Sequence, residues 1–241
     1  MSTLSAACAA LSLPSVLPFD GTWFSNPVVQ QELWPATLET LYMTLVSVVF
    51  SVVFGLLIGL LLTATRPDGL FPHAVLYSVL GFIVNVGRSI PFVILMFVLI
   101  PFSRMVVGTA TGWQGASVPL TVAAIPYFAR LVESNLSGVE SGKVEAAEMM
   151  GASRTRILFS VLVREALPTL IQSTTILTIT LIGYTAMAGT VGGGGLGALA
   201  VNYGYYQWMP DVLTIIVVLI VAFVAIVQVM GDMLSRLVDH R

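Results

Sequence analysis

The chain has 241 residues; 57 % are hydrophobic and only 9 % are charged, as ten basic and twelve acidic side chains. A soluble domain carries about 25 % charged residues. Here the uncharged runs 40–65, 105–129, 166–210 and 212–231 each reach the roughly 20 apolar residues that cross a bilayer. This composition excludes a soluble enzyme and an intrinsically disordered chain, and the continuous apolar runs argue against an outer-membrane barrel, whose strands alternate. The net charge of −2 says nothing about partners, because charge in a membrane protein is read by side.

Residues 1–36, with Pro14, Pro18, Pro27 and Pro35, read as a loose or partly interfacial extension. No Lys or Arg precedes Arg66, so the positive start of a signal peptide is missing. Cys8 reads as a small apolar residue, since a single thiol forms no internal disulfide; Ser5 and the short apolar lead before it argue against a lipoprotein processing site.

A first span is expected over about 38–63, with Ser47, Ser51, Gly55 and Gly59 at four-residue spacing. That spacing is one helix face, and small residues there let a second helix approach. Helix packing is the main reading; a substrate-lining face is the other. Arg66-Pro67-Asp68-Gly69 is a turn signal. The stretch 74–100 is apolar except for Asn85, Arg88 and Ser89. Either Arg88 lies deep in the membrane or 74–86 follows the interface, and Pro91 favours a bend. Pro101 to Trp113 reads as a loop with Arg104.

A third span over about 114–131 contains Pro119 and Pro126, and a polar segment, 132–156, follows. A fourth span covers about 166–188, then a glycine-rich and aromatic stretch, 189–210, and a fifth span over about 211–231. The expected fold is therefore an all-α membrane protein of about five transmembrane helices. A membrane domain covers 37–232, with a loop at about 132–165 and a tail at 233–241. Five spans put the termini on opposite sides. One side would hold Arg66, Arg130, Lys143, Arg154, Arg156, Arg164, Arg236 and Arg241, the other only Arg104, with Arg88 unassigned. The positive-inside rule then makes the loop and the C-terminus cytoplasmic and the N-terminal extension outward-facing.

Gly192, Gly194 and Gly197 match the spacing of a dinucleotide loop, but that fingerprint needs a preceding strand. The single lysine, Lys143, lies in Ser141-Gly142-Lys143-Val144, so the chain has no P-loop. No Asp or Glu lies within the core of any of the five expected spans, whereas ion-coupled carriers usually need buried ionisable groups; Glu165 stands at a border. His73 and His240 read as solvated surface. No catalytic set and no metal site is apparent, and no nucleic-acid partner is expected. The glycine run with Tyr203, Tyr205, Tyr206 and Trp208 reads either as a flexible turn with interfacial aromatics or as a docking surface.

The informative stretch is Val144-Glu145-Ala146-Ala147-Glu148-Met149-Met150-Gly151. Val144, Ala147 and Met150 fall on one helical stripe, Glu145 and Glu148 on another, and Gly151 is a natural stop. Ile157, Leu158, Val161 and Leu162 form a second apolar face beside Arg154, Arg156 and Arg164. Such a helix either inserts into a partner's groove or lies on the lipid surface.

Glu145-Ala146-Ala147 followed after three residues by Gly151 resembles the cytoplasmic "EAA" loop of permease subunits of bacterial ABC importers. The second half departs from the pattern: Val161 opens the tail, Val163 stands where Leu is usual and Arg164 where Pro is usual, with Pro168 four residues on. Arg88-Ser89-Ile90-Pro91-Phe92, Val118-Pro119-Leu120-Thr121, Arg164-Glu165-Ala166-Leu167-Pro168 and Gly183-Tyr184-Thr185-Ala186-Met187 through Gly197 resemble the methionine-importer branch. The resemblance covers about Leu33 to Asp232; residues 1–32 look like an addition. It implies the type I importer permease architecture in the bacterial inner membrane, and no enzymatic activity in this chain. It also implies a second permease copy, two copies of an ATP-binding subunit that carries ATP and Mg, an outer-side substrate-binding protein, and surrounding lipid. Glu145, Ala146, Ala147, Met150 and Gly151 would dock the ATPase; Arg88, Ser89, Pro91, Tyr184 and Met187 are candidates for the translocation pathway. A permease for another amino acid or small organic solute, or a carrier working alone, is the competing expectation; a membrane-embedded enzyme is disfavoured because no His, Asp and Glu cluster lies at membrane depth.

Overall fold

The computed structural model describes residues 26–239, all of whose elements are helical. The expectations for Cys8, Pro14, Pro18, His240 and Arg241 lie outside the described residues. Pro27–Gln31 forms a short helix, α1, which Asn26 caps by accepting from the Val28 N–H at 3.0 Å. Helix α2 is Leu33–Thr65. It starts inside the stretch assigned to the extension, because nothing in Leu33–Ala36 breaks a helix and Pro35 stands within the first turn, where a missing N–H is harmless. Its threonine hydroxyls are satisfied within the helix: Thr37 donates to the Leu33 carbonyl at 2.7 Å, Thr44 to Thr40 at 2.8 Å and Thr63 to Gly59 at 3.0 Å. Such back-bonding is how polar residues reside in a span with no water to receive them.

The stretch 74–100 is two helices, α3 (Ala74–Ser89) and α4 (Phe92–Val98), meeting at 101°. Ile90 before the break is extended, as a residue preceding proline must be, and Pro91 caps α4. The loop expected from Pro101 to Trp113 is mostly helix: α5 runs Ile100–Val107 and Gly108, at φ 79°, ends it. Pro101 is no obstacle because it occupies the first turn.

Helix α6 (Gly112–Ser137) contains Pro119 and Pro126 and runs a turn and a half past the expected end. That extension carries Glu133 into the protein, where it is only 6 % exposed. It accepts from the Tyr77 hydroxyl at 3.0 Å and pairs with Arg130 one turn earlier. The core packs Met43, Leu120, Phe128 and Leu181, from α2, α6 and a long helix, α10 (Leu167–Thr190).

Between α6 and α10 lie α7 (Ser141–Met149), α8 (Arg154–Arg156), a wider π turn over Ile157–Leu162, and α9 (Val163–Glu165). After α10 come α11 (Gly195–Leu199), a second π segment at Ala200–Tyr206, and α12 (Pro210–Val238). Four helices, α2, α6, α10 and α12, are long and apolar enough to cross a bilayer, and the bent α3–α4 pair makes a fifth crossing or a re-entrant loop. Helix α12 is largely exposed, as a surface meant for lipid or a partner chain must be, and it touches α10 where Gly231 meets Thr175.

The bundle has two chemically different ends. At one, Arg66 donates to Ser137 at 2.5 Å, Lys143 pairs with Glu165, and Ser235 donates to the Pro168 carbonyl at 3.2 Å. At the other, the Gly112 N–H donates to the Gly192 carbonyl at 2.8 Å and Asn26 donates to Asp211 at 2.7 Å.

Candidate functional site

At the basic end, α7 is a short helix with a stable stop. The Gly151 N–H donates to the Glu148 carbonyl at 2.9 Å, and the Ala152 N–H donates to Ala147 at 3.1 Å. Gly151 has φ +77°. These are the two bonds and the left-handed residue of a Schellman stop. Ala147 is buried against the protein and Val144 packs beside it, while Glu145, Ala146 and Glu148 are exposed. Met149 and Met150 are 89 % and 81 % exposed. Met150 does not share the Val144 and Ala147 stripe as expected: it is the C-cap residue, where the chain has left the helix and the 3.6-residue period no longer holds.

Two contacts fasten α7 to the spans. Lys143 pairs with Glu165 beside the start of α10, and the π turn buries Ile157, Leu158 and Leu162 beneath it. Arg154 lies 6.0 Å from the Phe71 ring, joining this region to the α2–α3 turn. Between that turn and α7 is a cleft of about 420 Å³ lined by Arg66, Asp68, Glu145, Glu148 and Arg154. Arg164, in place of the usual proline, is exposed, and the chain breaks instead at Ala166, with Pro168 in the first turn of α10.

Deeper in the bundle, Arg88 and Tyr184 line one chamber of about 270 Å³ with Phe92, Tyr127, Thr180 and Leu181. Phe92 and Tyr184 stack, centroids 4.8 Å apart and planes within 3°. Ser89, Pro91 and Met187 do not line it: the Ser89 hydroxyl turns back to the Asn85 carbonyl at 2.8 Å, Pro91 stands at the elbow, and Met187 is exposed.

The small-residue face of α2 meets α6. Ser47 donates to the Ser117 carbonyl and Ser51 to Thr121, each at 3.3 Å. A Cβ on Gly55 would lie 3.0 Å from Phe128, and one on Gly59 2.5 Å from Val132.

The glycine run is tied to α2 by two side chains. Glu39 accepts from the Gly195 N–H at 2.7 Å, and Thr40 accepts from the Leu196 N–H at 2.9 Å. Gly189 has no room for a side chain, since a Cβ would lie 2.2 Å from the Ala198 nitrogen. Tyr205, Tyr206 and Trp208 project from the end of this held segment. Glu39 escaped the sequence reading, although a lone acid one turn inside an apolar helix was its signal. Glu133 escaped with the boundary set at 131. Among the described residues no group of three His, Cys, Asp or Glu side chains could hold a metal ion.

The chain matches the family of the binding-protein-dependent transport system inner membrane component over residues 51–241. It belongs to that family. This transport component is accordingly a multi-pass protein of the inner membrane. It is 46 % identical over 209 residues to the probable D-methionine transport system permease protein MetI of Vibrio cholerae, covering 87 % of this chain and 93 % of the relative. It is 45 % identical over 210 residues to the methionine import system permease protein MetP of Bacillus subtilis, covering 87 % and 95 %. A solved structure of the MetNI methionine ABC transporter, in an inward facing conformation, superposes with a TM-score of 0.84 at 46 % identity, over 86 % of this chain and 96 % of that one. An amino acid ABC transporter with 17 % identity shares the fold at a TM-score of 0.73.

Proposed function

We propose that this transport component is the permease subunit of an ATP-driven importer and that methionine is its cargo. The observation that carries the reading is the near full-length likeness, in sequence and in fold, to the methionine transporter's permease chain. The chain itself is no enzyme; ATP and Mg bind and ATP is hydrolysed on a separate subunit, of which two copies sit beneath a pair of permeases. A substrate-binding protein delivers cargo on the outer side. The basic end of the bundle faces the cytoplasm and the glycine end faces outward, in line with the skew of Lys and Arg.

Within this reading α7 is the lever. Glu145, Ala146, Met149 and Met150 form its outward surface, and methionines suit a groove because they adapt to its shape. The stop at Gly151, the Lys143–Glu165 pair and the buried π turn make the lever stiff, so a push on α7 reaches α10. Residues Ser47, Ser51, Gly55 and Gly59 hold α2 against α6 while α10 moves. Arg88 and Tyr184 face the solute's path.

The test is reconstitution in proteoliposomes with the ATPase and binding protein. ATP-dependent methionine uptake is expected, and none from this chain alone. Flux without the ATPase would overturn the importer reading; uptake of another amino acid in preference to methionine would move the cargo assignment.

A further inference from the structure

Arg88 presents an exposed guanidinium at the edge of a chamber. It closes α3 at the 101° elbow of the bent α3–α4 pair. Among the described residues it has no hydrogen-bond or ion-pair partner. No Asp or Glu lines the chamber it borders. An arginine within a membrane segment is retained where it faces a cavity and finds an anion. The end of α3 offers only about half an elementary charge, whereas a carboxylate offers a full one in the planar geometry that guanidinium matches.

The rest of the chamber is selective in its own way. Tyr127 and Tyr184 have hydroxyls without partners among the described residues. Thr180 spends its proton on the Ile176 carbonyl at 2.8 Å, which leaves its lone pairs to accept from a donor. The stacked Phe92–Tyr184 pair and Leu181 supply an apolar wall. At about 270 Å³ the space is just below the roughly 300 Å³ at which drug-sized pockets begin.

We propose that this chamber seats a zwitterionic amino acid with an uncharged, apolar side chain, and that Arg88 receives its carboxylate. The proposal rests on the import reading and deepens it. The ammonium group faces the oxygens of Thr180, Tyr127 and Tyr184, and the side chain lies on the aromatic wall. A dicarboxylate would leave one charge unmatched, a cationic side chain would meet Arg88, and a sugar would find too few polar groups.

The test uses the assembled complex with its ATPase and saturating binding protein in proteoliposomes, comparing wild type with Arg88→Gln and Arg88→Lys. The expected result is ATP-driven methionine uptake by the wild type, a loss of about tenfold or more in Arg88→Gln, and partial recovery in Arg88→Lys. In equilibrium dialysis of the solubilised complex without binding protein, unlabelled methionine displaces labelled methionine from the wild type, and methioninol, which lacks the carboxylate, does not. Arg88→Gln loses that discrimination. Absence of uptake by the wild type overturns the import reading and this inference with it. Wild-type uptake matched by an assembled Arg88→Gln complex overturns the inference alone. So does an Arg88→Gln chain that fails to pair with its second copy, which would make Arg88 a subunit contact.

Discussion

Gly151 and Glu39 each do one thing that their neighbours cannot. Gly151 sits at φ +77° with open space where a Cβ would be, so only backbone conformation restricts it. A residue with a Cβ loses roughly 1–2 kcal/mol there, and Asn loses less. Gly151→Asn should therefore keep ATPase co-purification, while Gly151→Val lowers it several-fold; equal recovery of both would dissociate the stop from docking. Glu39 accepts the N–H of buried Gly195. Glu39→Ala strands that donor at a cost of about 1–3 kcal/mol, expected as a fall of roughly 2–12 °C in the melting temperature in detergent. Glu39→Gln, which keeps an acceptor oxygen, should fall less. An unchanged melt for Glu39→Ala would mean that the carboxylate does not hold the glycine segment. Gly151 was legible in the sequence because the two bonds that close the stop span only three and five residues. The partner of Glu39 is 156 residues away, and no local pattern announces it.

Helix α2 shows what a spacing rule can and cannot say. Four small residues at intervals of four declare a close-contact face, but not which helix fills it. The structure answers with α6, at Ser117, Thr121, Phe128 and Val132. The crossing is limited by backbone approach rather than by hydroxyl bonds. Gly59→Leu should drive the helices apart and cut the yield of monodisperse protein in size-exclusion chromatography. Ser47→Ala, which removes an interhelical bond worth about 0.6 kcal/mol, should melt within about 2 °C of wild type. The reverse ranking would make hydroxyl bonding the dominant contact. Elsewhere, proline was read in the wrong sense. Pro101 suggested a loop yet opens α5, whereas Pro91 does break the chain. The difference is whether the missing N–H falls in a first turn or would have been needed inside a helix.

Across the whole molecule, the lever reading requires that the exposed tip of α7 meets another chain. Glu145→Arg and Met149→Glu alter only exposed positions, so the fold should persist while the ATPase no longer co-purifies. Retention of the ATPase by both variants, with normal folding, would move the docking surface elsewhere, with the mixed-charge cleft beside α7 as the next place to look. The other end carries its own consequence. The glycine segment is held by α2 through Glu39 and Thr40, and Tyr205, Tyr206 and Trp208 project beyond it.

The sequence alone determined the membrane class, the four long apolar spans, the short helix ending at Gly151 and the resemblance to importer permeases. All of these are written in composition or in spacings within about one helical turn, where covalent connection keeps the residues together. The tertiary structure decided the rest. It sharpened the Pro91 bend to 101°, turned Met150 outward, buried Glu133, fastened the glycine run to Glu39 and brought Arg88 into one chamber with Tyr184. Each of these depends on which distant helix packs where, and that is fixed by the shapes of whole faces, not by any local run of residues.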